Sequence, residues 1–273
     1  MINLKIPVGI SDFEKIRKNQ YYFVDKSGLI EELLNTESNE VTLITRPRRF
    51  GKTLGMSMLA SFFDIRRDSS ELFRGLKISQ KEELCQKWMN QYPVLFVTFK
   101  DVDGLDFQSA KEMLRIQIAD RCNEYLCLIS SEKVNENDKA IFRQLADVVK
   151  GDVSDAMLKT GIALIMRMLQ DYYEKPVILL LDEYDVPLAK ASAHGYYTEM
   201  LEVMRAMIST ALKDNPSLRF AVVTGCLRIS RESIFTGTNN FVSDTIFDTR
   251  LNEYFGFLQD EVEQLLTAIG AKD

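Results

Sequence analysis

"ITRPRRFGKTLGMSML", Ile44–Leu59, is the stretch on which the reading of this chain depends. Its Gly51-Lys52-Thr53 ends like a phosphate-binding loop, G-x-x-x-x-G-K-[ST], but Arg46 stands where the first glycine belongs. Ahead of it, "EVTLITR" is β-branched and apolar, the composition of a buried strand. Behind it, Leu54, Met58, Leu59, Phe62 and Phe63 recur at helical spacing. Strand, loop, helix is the setting such a loop requires. Main-chain N–H groups at the helix start surround the phosphates, a lysine bridges the β- and γ-phosphate oxygens, and a hydroxyl ligates Mg²⁺. Lys52 and Thr53 are the candidates for the last two roles, and Arg48, Arg49, Phe50, Gly51 and Leu54 complete the nucleotide-binding set. The first glycine of such a loop serves backbone turning, so Arg46 is expected to leave the strand extended, with Pro47 fixing the φ of the turn. The arginines are then free to pack against acidic groups, face a partner or, for Arg48 and Arg49, reach the nucleotide.

Downstream, "VILLLDEYD" reads as a fully apolar strand ending in acids. Asp182, on a strand adjacent to the loop's own, would hold Mg²⁺ through water. Glu183 would orient and polarise the attacking water. The strand "LRFAVVTG" ends at Thr224-Gly225, where a hydroxyl can touch that water or the γ-phosphate. Arg228 and Arg231 follow in "CLRISRES"; each is a candidate for stabilising transition-state charge, in its own subunit or a neighbour's, or for pairing with Glu232 or Asp244. Tyr184 and Asp185 either line the site or, as the preferred reading, have structural roles. His194, the single histidine, is read as a loop residue with no function. No N-K-x-D follows that would read guanine, and no G-x-G-x-x-G follows the first strand, which argues against a GTPase and a Rossmann dehydrogenase.

The rest of the chain supplies the frame. Ser11 and Glu14 have capping-box spacing, "DKSGLIEELLN" carries one apolar stripe, and "YPVLFVTFKD" is a strand with Pro93 at its start. Phe107, Ala110, Leu114, Ile118 and Cys122 share a helix face, "SSEKVNENDK" reads as an exposed loop, and "SDAMLKTGIALIMRMLQDYY" and "YTEMLEVMRAMISTALK" read as helices. Apolar strands alternating with long helices give an α/β fold with a parallel sheet covered on both faces, its site at the carboxyl ends of the strands.

Composition narrows the classes further. The 273 residues are 46% hydrophobic, without a run long enough to cross a bilayer or a secretory signal at the start, so the default compartment is the cytoplasm. Cys85, Cys122, Cys127 and Cys226 form no C-x-x-C pair and read as buried reduced thiols, with no zinc site. A net charge of −6 and a pI near 5.1 argue against wholesale coating of nucleic acid. Arg66 and Arg67 read as a solvated helix end.

"PVGISDFEKIR", "YYFVDKSGLI", "ITRPRRFGKTL", "LLLDEYDVPL" and "VVTGCLRISRESIFTGTNNF", five separated motifs spanning almost the whole chain, together resemble the AAA-ATPase-like family of bacterial and archaeal proteins. That family is often fused to a C-terminal PD-(D/E)XK nuclease-like domain. The resemblance implies a P-loop NTPase three-layer sandwich of the additional-strand, AAA-like class, with ATP and Mg²⁺ as ligands. It implies Asp182 and Glu183 as the Walker B pair, Thr224 as the sensor position, and "IPVGISDF" near the adenine, marking Val8 and Gly9. It also implies an N-terminal strap over 1–36, an ATPase core over 37–248 and, over 249–273, the start of a helical lid; the chain then stops, reading as a truncated gene product or a fragment.

ATP binding and hydrolysis that drives an attached or partner domain is the first functional expectation. A nucleotide-gated interaction module with little turnover is the second. The third is the ATPase half of a nuclease-associated, DNA-processing system, for which charge gives no support. The partners expected are ATP, a protein partner or nuclease-like domain, and further copies of the chain, with no membrane.

Overall fold

Val41–Thr45 (β1) and Val177–Asp182 (β3) are buried along their whole length, which is why their sequences are continuous apolar runs rather than alternating ones. A computed structural model describes residues 4–35, 40–149, 153–227, 234–235, 241–269 and 271. With Val94–Thr98 (β2), Leu218–Gly225 (β4) and Phe241–Asp244 (β5), the strands form one sheet in the order β2-β3-β4-β1-β5, every pairing parallel.

Successive side chains of a strand point to opposite faces, and the core divides accordingly. Val177, Leu179 and Leu181 join one apolar cluster, with the helices Phe107–Glu124, Asp155–Tyr173 and Tyr197–Leu212; Ile178 and Leu180 join another, with Phe13–Lys18, Gly28–Asn35 and Lys52–Phe63. Helix, sheet and helix thus make the three-layer sandwich that the sequence implied.

In chain order the helices are α1 (Phe13–Lys18), α2 (Gly28–Asn35), α3 (Lys52–Phe63), α4 (Ser70–Phe73), α5 (Glu82–Trp88), α6 (Phe107–Glu124), α7 (Glu136–Ala146), α8 (Asp155–Tyr173), α9 (Val186–His194), α10 (Tyr197–Leu212) and α11 (Gln259–Ile269). Among the described residues no helix is long and apolar enough to cross a membrane.

The strand order corrects one expectation: β3 is not adjacent to β1. β4 lies between them, so Thr224 and not Asp182 is the immediate neighbour of the loop strand, paired with Ile44. This inserted strand defines the additional-strand arrangement.

Local readings also change. α1 is capped by Asp12, whose side chain accepts from Lys15 N–H, and not by Ser11. The last four residues of "SSEKVNENDK" belong to α7, because Asn135 caps that helix through Asn137 N–H. His194 is the last residue of α9, stacked on Tyr196 with an interplanar angle of 8°. Arg66 is held rather than solvated: it pairs with Asp64 and Glu124 and lies 4.4 Å over the Tyr125 ring. All four thiols are free, but only Cys122 is fully buried and Cys127 is exposed.

Candidate functional site

At the carboxyl edge of the sheet Thr98 lies opposite Asp182, and Ile44 lies between Thr224 and Asp244, with Thr45 one residue further on opposite Gly225. The loop after β1 begins without any unusual backbone. Arg46 is not among the positive-φ residues, and its N–H still bonds Gly225 C=O at 3.1 Å, so it continues the strand for one residue. The turn is made later, at Arg49 (φ 70°) and Gly51 (φ 80°). Left-handed backbone is thus needed in the loop, but not where the usual first glycine stands.

Gly51 caps α3 with no side-chain hydrogen bond. The first amides of α3, at Lys52, Thr53 and Leu54, have no intrahelical acceptor, and this leaves a helix N-terminus suited to an anion. Lys52 folds back over the loop, donating to the carbonyl oxygens of Arg46 (3.0 Å) and Pro47 (3.1 Å) and to Cys226 Sγ (3.2 Å). Arg48 and Arg49 are exposed and Phe50 is half-buried.

Asp182 is fully buried and takes one hydroxyl on each carboxylate oxygen: Thr53 Oγ1 donates at 2.8 Å and Thr224 Oγ1 at 2.5 Å. The loop, the inserted strand and the acidic strand therefore meet on a single carboxylate. Next to it Glu183 is half-buried with φ 54°, a left-handed conformation that costs a non-glycine residue about 1–3 kcal/mol. Burial first, and then the Asp182 charge, raises the Glu183 carboxyl above its ordinary value; Lys52 and Arg48 oppose the rise. The hydroxyl of Thr53 and the carboxylate of Asp182 are hard oxygen donors of the kind Mg²⁺ takes when water and phosphate fill its other positions, so the residues fit that ion. Among the described residues no cluster of three or more His, Cys, Asp and Glu offers an all-protein metal cage.

Arg46 takes one of the roles left open to the loop arginines, packing against an acidic group. Its guanidinium is buried, pairs with Asp244 at 2.6 Å, donates to Thr45 C=O (2.9 Å), Asp244 C=O (3.1 Å) and Asn252 Oδ1 (3.1 Å), and lies 5.4 Å from the Phe255 ring centroid. Asp244 is shared with Arg250 at 3.5 Å. Arg228 and Arg231, the proposed transition-state arginines and alternative Asp244 partners, lie outside the described residues.

Beside the loop is a pocket of about 390 Å³, lined by Ile6, Val8, Tyr22, Phe50, Leu54 and Phe257 among others. Val8 lines it although largely exposed; Gly9, at φ 72°, does not. The segment beyond β5 closes over its rim: Gly256 N–H bonds Phe50 C=O at 3.0 Å, and Lys26 pairs with Glu261 of α11 at 2.6 Å. The first turn of the chain and the last helix therefore meet at the loop.

Tyr184 and Asp185 have the structural contacts expected of them. Asp185 Oδ2 accepts the N–H groups of Cys226 (3.0 Å) and Leu227 (2.8 Å), and Tyr184 Oη donates to Leu227 C=O (2.9 Å). Only the neighbouring placement of β3 and β4 brings these residues together; nothing local in "DEYD" signals it.

Comparison with known proteins agrees with this arrangement. A protein of Azotobacter chroococcum mcd 1 described as "Uncharacterized protein in vnfD 5'region" is 28% identical over 270 residues, covering 96% of this chain and 45% of the relative. The chain thus spans a little under half the length of the curated relative it matches. No solved structure gives a significant match. The family described as "Predicted AAA-ATPase" matches residues 7–235, and with that coverage the chain belongs to the AAA-ATPase-like family.

Proposed function

We propose that this chain binds ATP with Mg²⁺ and hydrolyses it. The observation that carries this reading is the double bonding of Asp182 by Thr53 and Thr224, with Lys52 and the left-handed Glu183 alongside. The α3 amides and Lys52 receive the phosphates, Lys52 exchanging its carbonyl and thiol acceptors for phosphate oxygens. Mg²⁺, held by Thr53 and through Asp182, supplies neutralisation of the β- and γ-phosphate charge. Glu183 takes the proton of the attacking water, and the Thr224 hydroxyl orients that water or the γ-phosphate. The apolar pocket takes the base, with the N-terminal segment 1–36 as a strap, 37–248 as the core and 249–273 as the start of a lid.

An attached domain or a partner is the proposed recipient of the turnover, in keeping with a relative more than twice as long as this chain. A nucleotide-gated module that binds without turning over is favoured by one feature, that α11 buries none of its residues. Phosphate release from Mg-ATP separates the two readings.

The same assay carries a pH signature. Glu183 must be ionised to accept a proton, and its carboxyl sits above 4.5, so hydrolysis is expected to fall on the acid side through a midpoint above 4.5 while the chain stays folded. A profile flat down to 4.5 with the chain folded contradicts Glu183 as the base.

A further inference from the structure

We infer that Asp185 is a positioning residue of the ATPase site: it locks the Cys226–Leu227 segment against the turn that carries Glu183, and so keeps Thr224 in register with the γ-phosphate. This rests on the ATPase reading above.

The Asp182–Glu183 turn does not end at the second acid. The left-handed Glu183 leaves that residue half-buried, whereas Tyr184 and Asp185 are buried. Tyr184 N–H bonds Thr224 C=O at 3.2 Å, and its hydroxyl holds Leu227 C=O, while Asp185 Oδ2 takes the amides of Cys226 and Leu227. Leu227 is therefore gripped at both its N–H and its C=O by consecutive residues of the β3 turn. A carboxylate accepting two main-chain N–H groups makes charge-assisted bonds, roughly twice as strong as neutral ones.

Gly225 makes the grip possible. A Cβ there would lie 2.6 Å from Asp185 Oδ1 and 2.6 Å from Tyr184 Cε1, closer than side-chain atoms tolerate. That second oxygen, Oδ1, has no hydrogen-bond partner among the described residues.

The clamp matters because of what the segment carries. Thr224 bonds Asp182 directly before it, and Cys226 Sγ is an acceptor for Lys52. When Lys52 turns to a phosphate, the segment loses that tie, and Asp185, with the Tyr184 hydroxyl, remains to keep it against the acidic strand. Asp185 thus acts on the chemical step through Thr224, and not on nucleotide affinity, which depends on α3.

The test compares parent, Asp185→Ala and Asp185→Asn. Asp185→Ala is expected to lower kcat for ATP hydrolysis at least about 20-fold and change ATP affinity less than about threefold; Asp185→Asn keeps an acceptor for both amides and stays within about threefold of the parent. Tyr184→Phe, which removes one hydroxyl, gives a smaller loss of kcat and serves should Asp185→Ala fail to fold. Amide hydrogen exchange, which needs no turnover, is expected to show Cys226 and Leu227 protected in the parent and in Asp185→Asn and unprotected in Asp185→Ala.

Parent-like kcat in Asp185→Ala, an Asn variant as impaired as the Ala variant, or unprotected amides in the parent each overturn the inference alone. A parent that binds no ATP overturns the ATPase reading and the inference with it. A parent that binds ATP without turnover leaves the exchange result to decide.

Discussion

Replacing Glu183 by glutamine is expected to slow phosphate release at least about 100-fold while leaving ATP bound, since a positioned general base contributes roughly 10²–10⁴-fold. The amide is nearly isosteric with the acid but accepts no proton at neutral pH. None of the groups that receive the phosphates is altered: Lys52, the α3 amides and the Thr53–Asp182 pair are separate side chains. Glu183 is also held at a price in backbone energy, φ 54° being unfavourable for any residue with a Cβ, and burial, with the neighbouring Asp182 charge, raises its carboxyl above the ordinary value. Sites that keep such a residue in place are candidates for chemistry rather than for stability. Single-turnover phosphate release with a parallel binding titration checks both halves of the expectation. A glutamine variant that hydrolyses ATP at the parent rate removes Glu183 from the mechanism.

Arg46→Ala is expected to destabilise the chain by about 3 kcal/mol, at the low end for breaking a buried pair, because Arg250 remains near Asp244 to share its charge. That corresponds to a fall in Tm of roughly 6–12 °C for a domain of this size. The loss has two sources. Asp244 loses its 2.6 Å partner in a buried setting, and the carbonyls of Thr45 and Asp244 and the side chain of Asn252 lose donors. Because Asn252 belongs to the segment that reaches back to Phe50 through Gly256, the loop and the segment beyond β5 lose a shared anchor, and ATP affinity falls as well. Arg46→Gly, which restores the usual glycine, is expected to be no better than Ala, since Arg46 does not occupy left-handed backbone. Thermal unfolding of both variants checks this. Recovery of parent stability by the glycine would mean that the position serves turning after all.

The parts of the fold that were legible in the sequence are those whose chemistry is local. β1, β3 and β4 lie in the interior of the sheet, so their apolar runs are continuous, and the loop motif marks the β1–α3 junction by itself. β5 was missed because it is four residues long, at an edge and only partly buried, and so carries no run to see. α9 was missed because Pro187 is its second residue, just after an acidic turn, where proline fits the first helical turn but reads as a breaker. Lys52, Thr53, Asp182 and Glu183 could be nominated from motif and context.

Their supports could not be nominated, because the partners are distant in sequence. Arg46 meets Asp244 across 198 residues and Asp185 meets Cys226 across 41, and both meetings depend on strand order. The same dependence explains why Asp182 was placed on a strand adjacent to the loop's own when β4 stands between them.

The most direct test is a calorimetric titration of ATP, with Mg²⁺ present, into the parent chain and into Lys52→Ala. On the proposed reading Lys52 would exchange its bonds to two carbonyls and a thiol for bonds to the β- and γ-phosphates, each charge-assisted contact being worth about 1.5–3 kcal/mol. The parent is expected to bind one ATP and the variant to bind at least about 100-fold more weakly, with no detectable heat at accessible concentrations. Equal affinity in the two proteins would contradict a nucleotide seated on this loop.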